Sequence, residues 1–315
     1  MLTVIVKSTE ELAVAEVPEP VPAVGQALID VDAIGAGYLD IAAQRGEPPT
    51  PLAPGAAPGW DVVGHVTAVG PDTPAGLIGA QVLALLPALG GFAEKVIVDV
   101  GELLPALGSI GAAENIATGG NALVADIALH RAGLTVGDRV LVLGASGGIG
   151  VLATQIAHAR GAEVTAVTSS AARGERLQAL GASRVVNRTL SALSDYETYD
   201  VIIDVVAGPT LEKHLQLLRP NGHYIACGGV TGFPGPEAFA PLLYNAQKSP
   251  TLTVFSLDSV TSQERRQSWD RITALVTEGQ LVPIVAETFP LTQADEALRW
   301  IADGKPFGKV VLLPR

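Results

Sequence analysis

Residues 139–161 read RVLVLGASGGIG followed by VLATQIAHARG, and this stretch decides the fold. Val140–Leu143 is a short apolar run with the β-branching of a buried parallel strand. A glycine-dense turn follows at once, and after it about ten residues carry a helical pattern. Strand, glycine turn and helix in that order make a phosphate-binding unit. The turn runs Ala145-x-Gly147-x-x-Gly150, one residue away from GxGxxG, with Gly144 just ahead of it. Gly147, without a Cβ, lets the backbone approach a pyrophosphate. Gly150 lets the helix pack close to the strand, and the N–H groups that open the helix face the anion. Ala145, Ser146, Gly147, Gly148, Ile149 and Gly150 are therefore candidate contacts for a dinucleotide. A glycine-rich turn ahead of an ordinary core helix is the alternative.

Working outward, the chain changes texture ahead of this unit. Residues 1 to about 118 are short apolar or alternating runs punctuated by Gly and Pro, the pattern of a compact antiparallel β domain. The runs are Leu2–Val6, Ala27–Ala33, Asp61–Val69, Gln81–Leu86 and Ala93–Val98. Ala112–Leu134 is Ala-rich with helical spacing. From Asp138 the rhythm becomes strand, helix, strand, helix. Strands are expected at 163–168, 183–187, 199–205, 223–227 and 252–257. Helices are expected at Ala171–Leu180 and at Pro209–Leu218, the latter stopped by Pro220-Asn221-Gly222. Such alternation implies a doubly wound parallel sheet covered by helices. Helices over Gln263–Gly279 and Gln293–Asp303 and a strand at Lys309–Leu313 complete the chain. The fold class is α/β, with a β domain from residues 1–118 and 259–315 and a dinucleotide-binding domain from 119–258.

Bulk properties narrow the partners. A chain of 315 residues exceeds one ordinary core, and 48% hydrophobic content is ample for two. The net charge of −12 argues against a nucleic-acid partner. No apolar run is long enough to span a bilayer, and MLTVIVKSTEEL lacks the pattern of a secretory leader, so no membrane partner and a cytoplasmic location are expected. The single cysteine, Cys227, excludes disulfides within the chain and reads as a buried, inert thiol in a strand.

The tip of the second parallel strand separates NAD from NADP. An NAD site places Asp or Glu there for the ribose 2′-hydroxyl. Here the tip is Val167-Thr168-Ser169-Ser170, while Glu163 lies at the opposite end of the strand. Ser169 and Ser170 leave room for a 2′-phosphate and can donate to it, and Arg173 can supply charge. The serines can equally cap the next helix, with Arg173 solvated. The missing acid favours NADP(H). Gly228, Gly229 and Val230 end another strand, and their loop, running on to Phe233, is placed to lie along a nicotinamide. Asp204 reads as a turn anchor rather than a base.

These residues point to a family. Ala33–Gly46 (AIGAGYLDIAAQRG), Pro58–Gly70 (PGWDVVGHVTAVG), Ala128–Gly150 and Gly308–Leu312 (GKVVL) resemble, in order and spacing, the medium-chain dehydrogenase/reductases. The resemblance is to their zinc-independent quinone oxidoreductase and enoyl reductase branch. It implies a GroES-like β domain around an inserted Rossmann domain, and homodimers. The zinc-dependent branch needs a cysteine where Gly37 stands and His-Glu where Trp60-Asp61 stands, so no metal is expected. His65 reads as a structural or surface histidine. Tyr38 falls where related enzymes carry an aromatic residue, as a proton donor or as a packing ring. Asp40 matches a family aspartate, orienting its neighbours or capping a helix from Ile41. Without a Lewis acid, a conjugated acceptor is the easier target, because charge spreads to an oxygen that needs only a hydrogen bond and a proton. The implied activity is NADPH-dependent transfer of hydride to an activated C=C or a quinone, on a small-molecule substrate. A catalytically weak NADPH-binding structural or regulatory protein and a carbonyl/alcohol dehydrogenase are the alternatives.

Overall fold

A computed structural model of the chain describes residues 1–190, 193, 197–232 and 234–314. The chain divides into two compact units, Met1–Gly120 with Pro283–Arg315, and Asn121–Val282.

The first unit opens with a hairpin, β1 (Leu2–Ser8) and β2 (Glu11–Glu16). It continues through β3 (Gln26–Ala36), α1 (Tyr38–Gln44), β4 (Asp61–Val69), β5 (Gln81–Leu85), β6 (Lys95–Asp99) and β7 (Leu103–Pro105). α2 (Ala112–Arg131) then carries the chain into the second unit. The second unit alternates β8 (Arg139–Leu143), α3 (Gly148–Ala159), β9 (Glu163–Thr168), α4 (Ala171–Ala179) and β10 (Arg184–Asn187). After β11 (Tyr199–Asp204) come α5 (Leu211–Leu215), β12 (Leu218–Ala226), α6 (Ala240–Tyr244), β13 (Thr251–Val254) and α7 (Ser262–Thr277). β14 (Val285–Pro290), α8 (Ala294–Ala302) and β15 (Lys309–Leu313) return to the first unit.

In the second unit six strands form one sheet in the order β10-β9-β8-β11-β12-β13, all parallel. That is the Rossmann-type order, and the strand order reverses between β8 and β11. Val140, Leu141, Val142, Ile202 and Ile203 are fully buried there, as parallel strands covered on both faces require. In the first unit the order is β14-β15-β3-β4-β5-β7, with β6 also on β3. Pairing is antiparallel except between β14 and β15. No helix among the described residues is long and apolar enough to cross a membrane.

Several elements differ from the sequence expectation. The stretch with helical spacing at 112–134 forms a helix that ends at Arg131 and is broken at Gly119 (φ 20°, ψ −134°). The helix expected over 209–218 is a 3-10 turn at Gly208–Thr210 and the short α5. β12 passes straight through Pro220-Asn221-Gly222, which by sequence alone reads as a stop. It advances from Leu218 to His223 while β11 advances only from Tyr199 to Val201, so a bulge absorbs the turn residues, with Asn221 at φ 60°. The last strand of this sheet is Thr251–Val254, shorter than the 252–257 expected.

The second unit also runs to Val282 rather than 258. α7 belongs to it through a buried carboxylate. Asp126, on α2, is fully buried and accepts from Ser268 (2.6 Å) and Arg271 (2.6 Å) of α7 and from Arg160 beyond α3. Trp269 and Ile272 bury the same helix face. Asp126→Ala strands two guanidinium groups beside a cavity. It should cost about 3 kcal/mol in urea or thermal unfolding, whereas Gln267→Ala, on the exposed face of α7, should shift stability by less than about 0.5 kcal/mol.

Candidate cofactor and active site

The glycine turn joins β8 to α3. Gly144, at φ 72°, starts it, and Gly147 is the N-cap of α3. A Cβ at Gly150 would lie 2.3 Å from the Gly144 carbonyl oxygen, so glycine is needed there for the helix to meet the strand. A Cβ at Gly147 would make only an ordinary 3.6 Å contact, so the protein's own packing does not require that glycine. Among the described residues no side chain caps α3. The N–H groups of Gly148, Ile149 and Gly150 therefore lack intrahelical and capping partners, and this end of a twelve-residue helix fits an anion. Ala145 and Ser146 are buried, and the Ser146 hydroxyl is hydrogen bonded to Thr168 Oγ1 at 2.9 Å. Ser146 thus ties the turn to the tip of β9.

At that tip Ser169 and Ser170 are half-buried. Ser170 caps α4 by accepting from the Arg173 N–H at 3.2 Å, so its expected capping role is present in the structure. The tip residues themselves, Val167 to Ser170, include no carboxylate. A residue that sequence reading missed comes beside the tip. β10 pairs with β9 so that Asn187 faces Thr168, and the N–H of Arg188 donates to the Thr168 carbonyl at 2.9 Å. Arg188 is exposed and follows directly on Asn187. The signal was available: the residue after a third strand lies beside the tip of the second in a doubly wound sheet.

The ends of β11 and β12 lie on the other side of the reversal. Asp204, nearly fully buried, accepts from the Val206 and Ala207 N–H groups (2.8 and 2.9 Å) and from the Tyr224 hydroxyl. It anchors a turn. Burial and the Asp204 charge push the Tyr224 phenol well above its ordinary range, so it stays protonated as the donor. Gly228 and Gly229 begin the loop after β12, with Val230 exposed beyond them. Phe233 lies outside the described residues. Cys227 falls one residue past β12, its thiol turned inward at 3.6 Å from the Asp204 carbonyl. Burial, reinforced by the Asp204 charge, pushes that thiol up to about 12, which leaves it a poor nucleophile.

In the first unit, Tyr38 opens α1 and packs half-buried against the sheet core. Asp40 sits inside this helix rather than ahead of it, as helix α1 begins at Tyr38 and not at Ile41. Its carboxylate accepts from the N–H of Gly37 (2.8 Å) and of Gly59 (2.8 Å), joining the two segments. Burial raises the Asp40 carboxyl to about 6, against the pull of the Lys309 charge and the two N–H donors. Asp61 is nearly fully buried, with Oδ1 3.4 Å from Lys309 Nζ and Oδ2 without a partner among the described residues. Oδ2 faces the break in α2, 3.2 Å from where a Gly119 Cβ would stand. A Cβ at Gly37 would meet only Lys309 Nζ, at 3.9 Å. The Trp60 ring lies on Gly120, where a Cβ would fall 2.0 Å from it. His65 pairs with Asp32 at 2.8 Å, both exposed. No cluster of three His, Cys, Asp or Glu side chains that could hold a metal occurs among the described residues.

Comparison with known proteins agrees with this organisation. The alcohol dehydrogenase GroES-like domain matches residues 23–108, and the zinc-binding dehydrogenase model matches residues 180–312. The quinone oxidoreductase of Mus musculus is 30% identical over 95% of this chain and 92% of its own length. A phenolphthiocerol/phthiocerol polyketide synthase protein of Mycobacterium tuberculosis is 30% identical over 96% of this chain, which spans only 14% of that relative. A mycobacterial protein solved in complex with NADPH superposes with a TM-score of 0.90 over the full length of both chains, at 25% identity. With its GroES-like and Rossmann-type units and full-length relatives, the chain belongs to the medium-chain dehydrogenase/reductase superfamily, in its quinone oxidoreductase branch.

Proposed function

We propose that the protein binds NADP(H) and passes its hydride, without a metal, to a conjugated C=C or a quinone. The observation that carries this is the uncapped, glycine-opened start of α3 joined through Ser146 and Thr168 to a β9 tip that holds no acid. An uncapped helix start suits a pyrophosphate, and an acid-free tip suits a 2′-phosphate. Ser169 and Ser170 would offer hydroxyls there, and Arg173 and Arg188, whose backbone N–H groups bond to Ser170 and Thr168, would offer cations. The NADPH complex of a structural relative supports the same cofactor.

The cofactor, when bound, supplies the hydride. The chain's part is to hold the acceptor, steady the oxygen on which charge collects and deliver a proton. Tyr38 is our candidate donor, and Asp40 holds the Gly37 N–H at the turn from which Tyr38 starts. The positions that would need cysteine and His-Glu for zinc are Gly37 and Trp60-Asp61, and Asp61 is already paired with Lys309. Such a residue set does not fit a catalytic zinc of about three protein ligands. The quinone oxidoreductase relative supports a quinone or a similarly conjugated acceptor.

For assembly we propose a homodimer through the β13 edge. This strand ends the six-stranded sheet, and no described strand pairs with its outer edge. Val254 on it is 81% exposed, as are Leu243 (80%) and Tyr244 (81%) just upstream. A second copy pairing antiparallel about a two-fold axis would cover this apolar edge.

Three outcomes test these assignments. Arg188→Ala and Arg173→Ala should each raise the NADPH dissociation constant about tenfold, near 1.4 kcal/mol, in calorimetric titration, with NADH unaffected; equal effects on both cofactors refute the 2′-phosphate assignment. Tyr38→Phe should slow steady-state reduction of enones or quinones by about a hundredfold with NADPH affinity unchanged, and an unchanged rate removes Tyr38 from proton delivery. In light scattering the parent should weigh twice the chain mass and Val254→Lys the chain mass alone.

A further inference from the structure

The reversal of strand order between β8 and β11 leaves a gap at the carboxyl ends of these two strands, and doubly wound sheets take their ligands there. One wall of this gap is the glycine turn. The other is Val205-Val206-Ala207-Gly208, the continuation of β11, and its backbone is unusual.

Ala207 stands at φ 51°, ψ −142°, and Gly208 at φ 82°. The Ala207 conformation is one that residues with side chains rarely adopt, and it persists only where the surroundings over-determine it. The surroundings here are specific. From below, Asp204 Oδ1 accepts from both the Val206 and Ala207 N–H groups at 2.8 and 2.9 Å. Asp204 Oδ2 is held in turn by the Tyr224 hydroxyl. From the side, Thr231 in the loop after β12 places its hydroxyl 2.9 Å from the Ala207 carbonyl and 3.2 Å from that of Val206. The Thr231 N–H donates to the Val206 carbonyl at 3.1 Å.

The packing is equally tight. A Cβ on Gly208 would lie 2.1 Å from Thr231 Oγ1, and one on Gly228 would lie 2.3 Å from the Val205 carbonyl. A Cβ on Gly144 would lie 2.4 Å from a Val205 methyl and 2.8 Å from a Val206 methyl. The strained turn is therefore wedged between the first glycine of the phosphate turn and the loop after β12. A glycine at 207 would remove the strain, yet the chain keeps alanine there and uses two side chains to clamp it.

We propose that Asp204 and Thr231 are positioning residues that clamp the Ala207–Gly208 turn as a rigid rest for the nicotinamide half of the cofactor. This rests on the NADP(H) reading above. The assignment to the nicotinamide half follows from topology. The β9 tip on one side of the reversal takes the adenine ribose, the glycine turn takes the pyrophosphate, and the remaining half lies across the reversal, at the ends of β11 and β12. Thr231, exposed and remote from the β9 tip in the sheet order, has no part in holding a 2′-phosphate.

The test compares two probes, NADPH and adenosine 2′,5′-bisphosphate, which carries the 2′-phosphate but no nicotinamide. Thr231→Val should weaken NADPH about tenfold and leave the bisphosphate within about twofold, with Thr231→Ser restoring NADPH affinity. Ala207→Gly, which relieves the strain, should keep or raise the thermal unfolding midpoint while weakening NADPH in the same selective way. Asp204→Asn should retain affinity, since the amide can accept from the turn and donate to Tyr224, whereas Asp204→Ala should not. NADPH affinity unchanged in Thr231→Val and Ala207→Gly overturns the proposal, as does equal weakening of both probes. A parent that binds neither probe overturns the cofactor reading itself, and this proposal with it.

Discussion

The approach of α3 to β8 is the contact on which the second unit depends. Gly150 meets the Gly144 carbonyl so closely that a methyl group would lie 2.3 Å from it. Protein interiors are packed to crystal-like density, so the helix can come this near only if the chain omits a side chain. Three residues earlier, Gly147 omits one for which packing has no need. Two glycines in one turn thus act in opposite senses: the protein fills the space at one and leaves it open at the other. The same closeness at Gly144 seats Val205 and Val206, so the loops after β8, β11 and β12 form one packed body rather than three independent connections.

The first unit is governed by charge. Two carboxylates and one ammonium are buried together, and removing any of them from water is costly unless it is paired or hydrogen bonded. Asp40 meets this demand with two backbone N–H donors, Asp61 with Lys309, and one oxygen of Asp61 goes unserved among the described residues. The arrangement fixes the Gly37–Tyr38 turn from beneath.

Much of this was legible in the sequence because local pattern and tertiary need agree. The strand, glycine turn and helix at 139–161 appear as read, and the alternation from Asp138 gives the parallel sheet. The failures have a common cause, in that each required knowledge of a partner segment. Pro220-Asn221-Gly222 is locally a stop, but pairing with β11 carries the strand through it as a bulge. Ala112–Leu134 has helical spacing throughout, and the groups that meet the break at Gly119, the Asp61 carboxylate and the Leu83 methyls, come from strands distant in sequence. Residues 259–282 carry no mark of which unit they join until Ser268 and Arg271 are seen on Asp126. Arg188 escapes a reading of the sequence, and Thr231 enters it only as one residue of the loop after Gly229, because the significance of each is a matter of register and loop contact, not residue type.

The antiparallel pairing of Val310 with Ala36 and of Leu312 with Ile34 has a consequence for how the chain folds as it is made. The second unit is continuous, so all its strands exist once residue 282 has been synthesised. The first unit's sheet then still has β3 open along the edge that β15 will occupy. Asp61 is likewise without its cation until Lys309 emerges on that strand. The earlier-made unit by sequence is therefore the later to be completed, and during that interval an apolar strand edge and an unneutralised acid await the same five residues. Open edges of this kind are where nascent chains associate wrongly. A chain halted just short of β15 would carry a finished dinucleotide fold attached to an unfinished sheet, and its hazard would be aggregation rather than loss of the second unit.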